Sequence, residues 1–302
     1  EVTSKEKNIT YEAPLRVKVA LKNTKTKKKD VQEIFLCDFP LMTDRGTFII
    51  NGIERVIVSQ IIRSAGVFFT SNFLRERNRV FYGAKIIPNR GAWLEFETDS
   101  NNVIWVKIDR KRKVAATALL RAFGLSSDEG IRKAFKDVET NPDINFTEAT
   151  LAKDSSTNQD EGLIEVYKRI RPGDMATADN AKSLIFAMFF NFDRYDFAKV
   201  GRYKMNQRFS TNYPLDEENR VLKVEDLVNV IKEIIRLNIS QDDADDIDHL
   251  GNRRIRAVGE LVQNKFRVGL ARMERIIKDR MSTMDPTTLT PSKLINARPV
   301  IG

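Results

Sequence analysis

Between Asp245 and Met281 the chain reads DDIDHLGNRRIRAVGELVQNKFRVGLARMERIIKDRM. Ile255, Val258, Leu261, Val262, Phe266, Leu270, Met273, Ile276, Ile277 and Met281 recur at steps of three and four, the spacing that gathers side chains on one stripe of an α-helix. Most positions between them are cationic: Arg253, Arg254, Arg256, Lys265, Arg267, Arg272, Arg275, Lys278 and Arg280, against Glu260, Glu274 and Asp279. Gly251-Asn252 is a turn signal ahead of the run, and Ser282 with Pro286 beyond marks its end. A long helix is expected, with a break allowed near Gly269, one face in a core and the other carrying fixed positive charge. Such a face is either solvated surface or a seat for a polyanion, and the pattern alone leaves both open.

A chain of 302 residues has room for two domains with separate cores. A hydrophobic fraction of 41% with 18 Phe fits a folded protein rather than a disordered one. No apolar run of about 18 residues occurs, so no membrane span is expected, and the polar start shows no signal peptide. Cys37 is the single cysteine and His249 the single histidine, which excludes an internal disulfide and a Cys/His zinc cluster. A reducing, cytoplasmic setting is the simplest expectation. The net charge of +9 points to a polyanionic partner, nucleic acid before membrane. Because the chain opens on Glu1-Val2 and stops at Ile301-Gly302, it is expected to be a piece of a longer polypeptide.

In order along the chain, Leu15, Val17 and Val19 alternate with Arg16, Lys18 and Ala20, as in a strand with one buried face. VQEIFLCDFPL is a second strand, paired with the first across the lysine-rich loop TKTKKKD. Those lysines either contact phosphate or keep a sheet edge from pairing with other chains. Asn51-Gly52 signals a hairpin turn after Phe48–Ile50, and the apolar run ERVIVSQIIRSAGVFF that follows is expected to be buried. Val80 to Ile108 reads as a meander with turns at NRG and DSNN, leaving by the basic cluster Asp109-Arg110-Lys111-Arg112-Lys113. Trp105 is expected in the core. Trp93 follows the turn Asn89-Arg90-Gly91 and is either core or an exposed ring able to stack on a base. Helices are expected at Thr117–Phe123 and Asp128–Phe135 with a serine cap, then a short one within the turn-rich 137–159. Glu161–Ile170 is a helix stopped by Pro172-Gly173, and Thr177 caps the next. Asp193 to Phe209 interleaves aromatic and basic residues, either a phosphate-and-stacking surface or a salt-bridge cluster. A helix at Lys223–Leu237 precedes an acidic loop, whose Asp242, Asp243, Asp245 and Asp246 lack the glycine and terminal glutamate of a calcium loop. His249 beside Asp248 has no nucleophile motif near it and reads as structural.

Three blocks carry a resemblance: PLMTDRGTFIINGIERVIVSQIIRSAGVFF (40–69), LIEVYKRIRPGDMATADNAKSLIFAMFFNFDRYDFAKVGRYKMNQRF (163–209) and IDHLGNRRIRAVGELVQNKFRVGLARMER (247–275). In this order they closely resemble segments of the β subunit of bacterial multisubunit RNA polymerase. The resemblance implies an α+β fold of two mixed domains, a lobe at 54–204 inserted into a protrusion made of 1–53 and 205–302. It implies a channel wall contacting downstream DNA and the non-template strand, with Trp93 stacking on a base, Asp196 reading a base edge, and Arg202 beside it on the same loop. Arg63 would lie near the DNA path. Val58 would border the rifamycin pocket, whose main segment would follow Gly302. The family commonly has proline where Ala65 stands and often histidine where Ile62 stands. No catalytic residue and no metal ligand is expected in this chain, since the family's Mg2+ is held by β′. The implied partners are DNA, the remaining β segments, β′, the α dimer, sigma and transcription factors. The alternative is a structural module that docks factors or subunits and whose charge is incidental.

Overall fold

The computed structural model describes residues 1–24, 27–75, 78–141, 144–285 and 288–301. Three expected features therefore lie outside the described residues: positions 25 and 26 of the lysine-rich loop, 142 and 143 of the turn in 137–159, and Pro286. The fold is α+β, and the chain divides into two compact units, one discontinuous (1–62 with 255–302) and one inserted (Arg63–Arg254).

The discontinuous unit begins with a short helix, α1 (Val2–Glu6), and a long hairpin of β1 (Glu12–Lys22) and β2 (Lys29–Pro40). Their antiparallel register is interrupted once, where Leu15 pairs with Cys37 but Arg16 with Phe35, so Leu36 is the bulged residue. Next come β3 (Phe48–Ile50) and β4 (Ile53–Arg55), joined by Asn51 at φ 51° and Gly52 at φ 78°, the positive angles that a two-residue primed turn requires. The apolar run 54–69 is buried as expected only in its second half, at Ser64, Ala65, Phe68 and Phe69. Contrary to expectation its first half is open to solvent, with Val56 60% exposed, Val58 75% and Ile61 57%, like Ile53 just ahead of it at 58%. β3 and β4 form a sheet of their own, so nothing in the hairpin's pairing covers that run.

The inserted unit is entered by β5 (Gln60–Arg63) and built on a five-stranded antiparallel meander. Its strands are β6 (Gly66–Leu74), β7 (Arg79–Ile87), β8 (Leu94–Thr98), β9 (Ile104–Ile108) and β10 (Val114–Ala115), lying in sequence order. Period-two alternation sends Leu94, Phe96, Ile104, Val106 and Ile108 into the core. The same alternation puts Trp105 on the other face, contrary to expectation, where its indole N–H donates to Asp99 Oδ2 at 2.8 Å and Lys113 Nζ sits 4.7 Å from its ring. Helices α2 (Ala116–Ala122), α3 (Asp128–Phe135), α4 (Phe146–Leu151), α5 (Gln159–Ile170) and α6 (Ala178–Ile185) follow. The side chains of Ser127, Asn145, Asn158 and Thr177 accept backbone N–H groups at the starts of the last four, satisfying donors a helix leaves unpaired. A π-helical turn (Phe186–Phe190) leads to α7 (Ala198–Phe209) and α8 (Val224–Ser240).

Helix α8 moves the domain boundary. Expected at 204, the end of the insertion lies at Arg254, because Leu227, Val230, Ile231, Ile234 and Ile235 pack into the same core as the sheet and α3. Asn238, fully buried, ties the helix to the sheet through Tyr82 N–H and Thr98 Oγ1. The acidic loop after α8 is used structurally. Asp245 accepts from Phe69 N–H and pairs with Arg208, and Asp242 pairs with Arg236.

The chain leaves by β11 (Arg253–Arg256), which forms a two-stranded sheet with β5, and returns to the discontinuous unit as α9 (Val258–Thr283). This helix runs unbroken through Gly269, where a Cβ would meet Pro299 O at 2.8 Å. The missing side chain lets α11 (Arg298–Ile301) dock on it, behind α10 (Pro291–Leu294). The expected stripe is present but half-buried rather than enclosed: Leu261, Val262, Phe266, Leu270 and Ile276 are intermediate, and Ile255 and Met281 are at least half exposed.

Candidate nucleic-acid interface

The residues expected to meet nucleic acid separate in space. Arg63 is exposed at the end of β5, and Val58 lies exposed before that strand. Trp93 is half-buried, between Gly91 and the first residue of β8. Asp196 and Arg202 are buried, Arg202 completely.

Trp93 sits on a turn that is tightly held. The N–H groups of Asn89 and Arg90 both donate to Asp196 O, at 2.9 and 3.0 Å, and Asp196 N–H donates to Arg90 O at 2.8 Å. Gly91, at φ +126°, lies so close to the same segment that a Cβ would stand 2.6 Å from Tyr195 Cδ2. Asn89 Oδ1 accepts from Arg254 at 2.7 Å. On the other side, Asp109 N–H donates to Trp93 O at 2.9 Å. That bond joins the backbone of the tryptophan to the turn that carries the exposed cations Arg110, Lys111 and Arg112. A part-exposed aromatic residue whose backbone is bonded to a turn of solvated cations suits a base with its phosphates. The basic cluster was visible in the sequence; its tie to Trp93 was not, because the register of β8 with β9 sets it.

Asp196 is not offered to a base edge here, which corrects the expectation for it. Its Oδ1 accepts from Arg220 Nε at 2.9 Å and from Ala198 N–H at 2.6 Å, and its Oδ2 accepts from Arg220 Nη2 at 2.6 Å. Arg90 Nη2 lies 3.9 Å from the same carboxylate. Its ion-pair partners are thus Arg220 and Arg90, and not Arg194 or Arg202, which are closer in sequence. The guanidiniums of Arg220 and Arg90 lie 5.0 and 5.4 Å from the centre of the Phe192 ring, and Arg90 donates to Phe192 O at 2.6 Å.

Arg202 is likewise corrected, from a loop cation to an interior residue of α7. Its Nη1 and Nη2 donate to Asp226 Oδ1 and Oδ2 at 2.7 and 3.0 Å, and Nη2 also donates to Val221 O. Asp226 in turn accepts Lys223 N–H at the start of α8. Tyr195 is sealed beside this pair, and burial pushes its phenol well above the usual range. The interleaved stretch therefore splits by burial. Arg194, Lys199 and Tyr203 face solvent, Tyr195 and Arg202 face inward, and Lys204 and Arg208 are tied to Gly251 O and Asp245.

No helix among the described residues is long and apolar enough to cross a membrane, and none of them form a group of three His, Cys, Asp or Glu able to hold a metal ion.

Residues 63–256 match the family described as RNA polymerase Rpb2, domain 2, a range that nearly coincides with the inserted unit. The chain belongs to that family. Over its full length it is 47% identical to the DNA-directed RNA polymerase subunit beta of Chloroflexus aggregans, and over 98% of its length 47% identical to that of Syntrophomonas wolfei. The chain spans about a quarter of the length of these relatives, 27% and 26%.

Proposed function

We propose that this member of the family forms part of the DNA-channel wall of a DNA-directed RNA polymerase, holding downstream DNA and the non-template strand during transcription. The observation that carries the reading is the half-buried Trp93, its backbone bonded to the turn that carries the exposed Arg110, Lys111 and Arg112. In this reading Trp93 stacks on an unpaired base, while Arg63 and the Arg110–Lys113 turn neutralise phosphates. Val58, three-quarters exposed, borders the pocket that takes rifamycins in such an enzyme. The working assembly includes the remaining β segments, β′, the α dimer, sigma and transcription factors, and acts on the nucleoid in the cytoplasm. Nucleotide addition needs two metal ions on clustered carboxylates. In this reading Mg2+ and the bond-making step belong to β′.

Titration of the 302-residue chain with a single-stranded oligonucleotide across a salt series tests this. Affinity falls with salt, by about 0.7 in log K per log salt for each phosphate neutralised; a flat response sinks the reading. Trp93→Ala weakens binding roughly 5- to 150-fold, the worth of one base stack, while the melting temperature holds. A large fall in melting temperature would instead assign the ring to the core.

The exposed run Ile53, Val56, Val58 and Ile61 favours a second reading, a module whose main work is docking other subunits or factors. Tight, salt-insensitive binding to those proteins together with weak DNA binding would favour it.

A further inference from the structure

We infer that Arg220 is a positioning residue for Trp93, acting through Asp196. The inference rests on the reading of Trp93 as a stacking residue. Arg220 closes a two-pronged ion pair on Asp196, lies 5.0 Å from the centre of Phe192, and through its own carbonyl accepts Phe197 N–H at 2.9 Å. It thus holds the loop 191–197 at three points. That loop carries the three backbone hydrogen bonds that fix Asn89 and Arg90, and Trp93 stands three residues beyond Arg90. Gly91 has no slack against Tyr195, so a shift of the loop moves the turn.

The energetics favour a fastener over a reader. Asp196 is 4% exposed, and a carboxylate removed from water is stable there only while its partner stays. Taking Arg220 away leaves that charge with only Ala198 N–H and the more distant Arg90 guanidinium, 3.9 Å off, and so loosens the loop and the turn. A stacking ring held in place loses less freedom on binding than one on a loose turn. Arg220 therefore raises affinity for single strands without touching them, and it keeps Asp196 from accepting a hydrogen bond from a base.

The test uses the full chain in a Trp105→Phe background, where Trp93 is the only tryptophan. Arg220→Met, Arg220→Lys, Asp196→Asn, the Arg220→Met/Asp196→Asn double variant and Trp93→Ala are compared. Readouts are oligo(dT) affinity across salt and time-resolved Trp93 anisotropy in the free protein. Arg220→Met should weaken binding by about the factor seen for Trp93→Ala, roughly 5- to 150-fold. It should enlarge the fast component of the anisotropy decay and leave the salt slope unchanged. Arg220→Lys, with charge but no fork, should fall between. The double variant leaves no stranded ion, so it carries the test if Arg220→Met does not fold. It should be no weaker than the poorer single variant, since coupled residues are non-additive. Unchanged affinity and anisotropy in Arg220→Met would overturn the inference. So would a salt slope reduced by a whole phosphate contact, or additive losses in the double variant, because either makes Arg220 a contact in its own right. If Trp93→Ala binds like the parent, the stacking reading fails, and the anisotropy of the free protein still decides whether Arg220 holds the turn.

Discussion

Arg202 shows how far a side chain's neighbours in sequence can mislead. Within DRYDFAKVGRYKMNQRF it has the look of one more cation for phosphate. Yet Ala198, Arg202, Met205 and Phe209 are spaced four, three and four apart, and the structure turns that stripe inward. The helical period was there to be read; the aromatic and basic content drew attention away from it. Arg202→Met should cost about 3–5 kcal/mol of unfolding free energy in urea, since it leaves Asp226 buried without its partner. The salt slope of DNA binding should not change. Asp196 had no comparable local signal, because its partner Arg220 comes 24 positions later. Gly91→Ala is a second test at this scale. A Cβ at φ +126° against the Tyr195 ring should destabilise by about 1–3 kcal/mol, seen as a lower urea midpoint.

At the scale of elements, helix starts and tight turns were legible because they depend on chemistry a few residues wide. Ser127 and Thr177 cap helices as expected, Pro172-Gly173 follows α5, and Asn51-Gly52 makes its hairpin. Two elements escaped. Trp105 lies on the outward face because β9 takes its phase from β8, and the stripe of α9 is half-buried because cover depends on what lies opposite. Electrostatic ties between elements carry a pH dependence. Hydrogen bonds from Lys5 and then Thr47 hold the Glu54 carboxyl below its ordinary 4.5, linking α1 to β4, and the Lys232 ammonium does the same to Asp137, below 3.8. A carboxyl lowered in the folded state contributes stability above its unfolded value and loses it as pH falls through the folded one. The melting temperature should thus be level near neutrality and drop in acid below about pH 4.5. Glu54→Gln with Asp137→Asn should make that drop shallower; an unaltered acid limb would show the pairs contribute nothing.

For the molecule as a whole, the core lies in the inserted unit, where sheet, α2, α3, α5 and α8 enclose most of the buried apolar side chains. The discontinuous unit encloses few, among them Leu36, Cys37, Ile49 and Leu294. Residues 63–254 expressed alone should fold, with a single cooperative urea transition; a gradual one would show that the unit depends on the rest of the chain. That an insertion exists was implied by the resemblance. Where it ends was not legible in the sequence, because the apolar face of α8 is compatible with either core. The family, the charge and the order of elements follow from residues taken a few at a time, since backbone hydrogen bonding repeats at 2 or 3.6 residues and turns are built locally. Which cations reach solvent, which carboxylate is free and which ring stands open are settled by partners tens of positions away. Burial and ion pairing act through space, and only the folded chain brings those partners together.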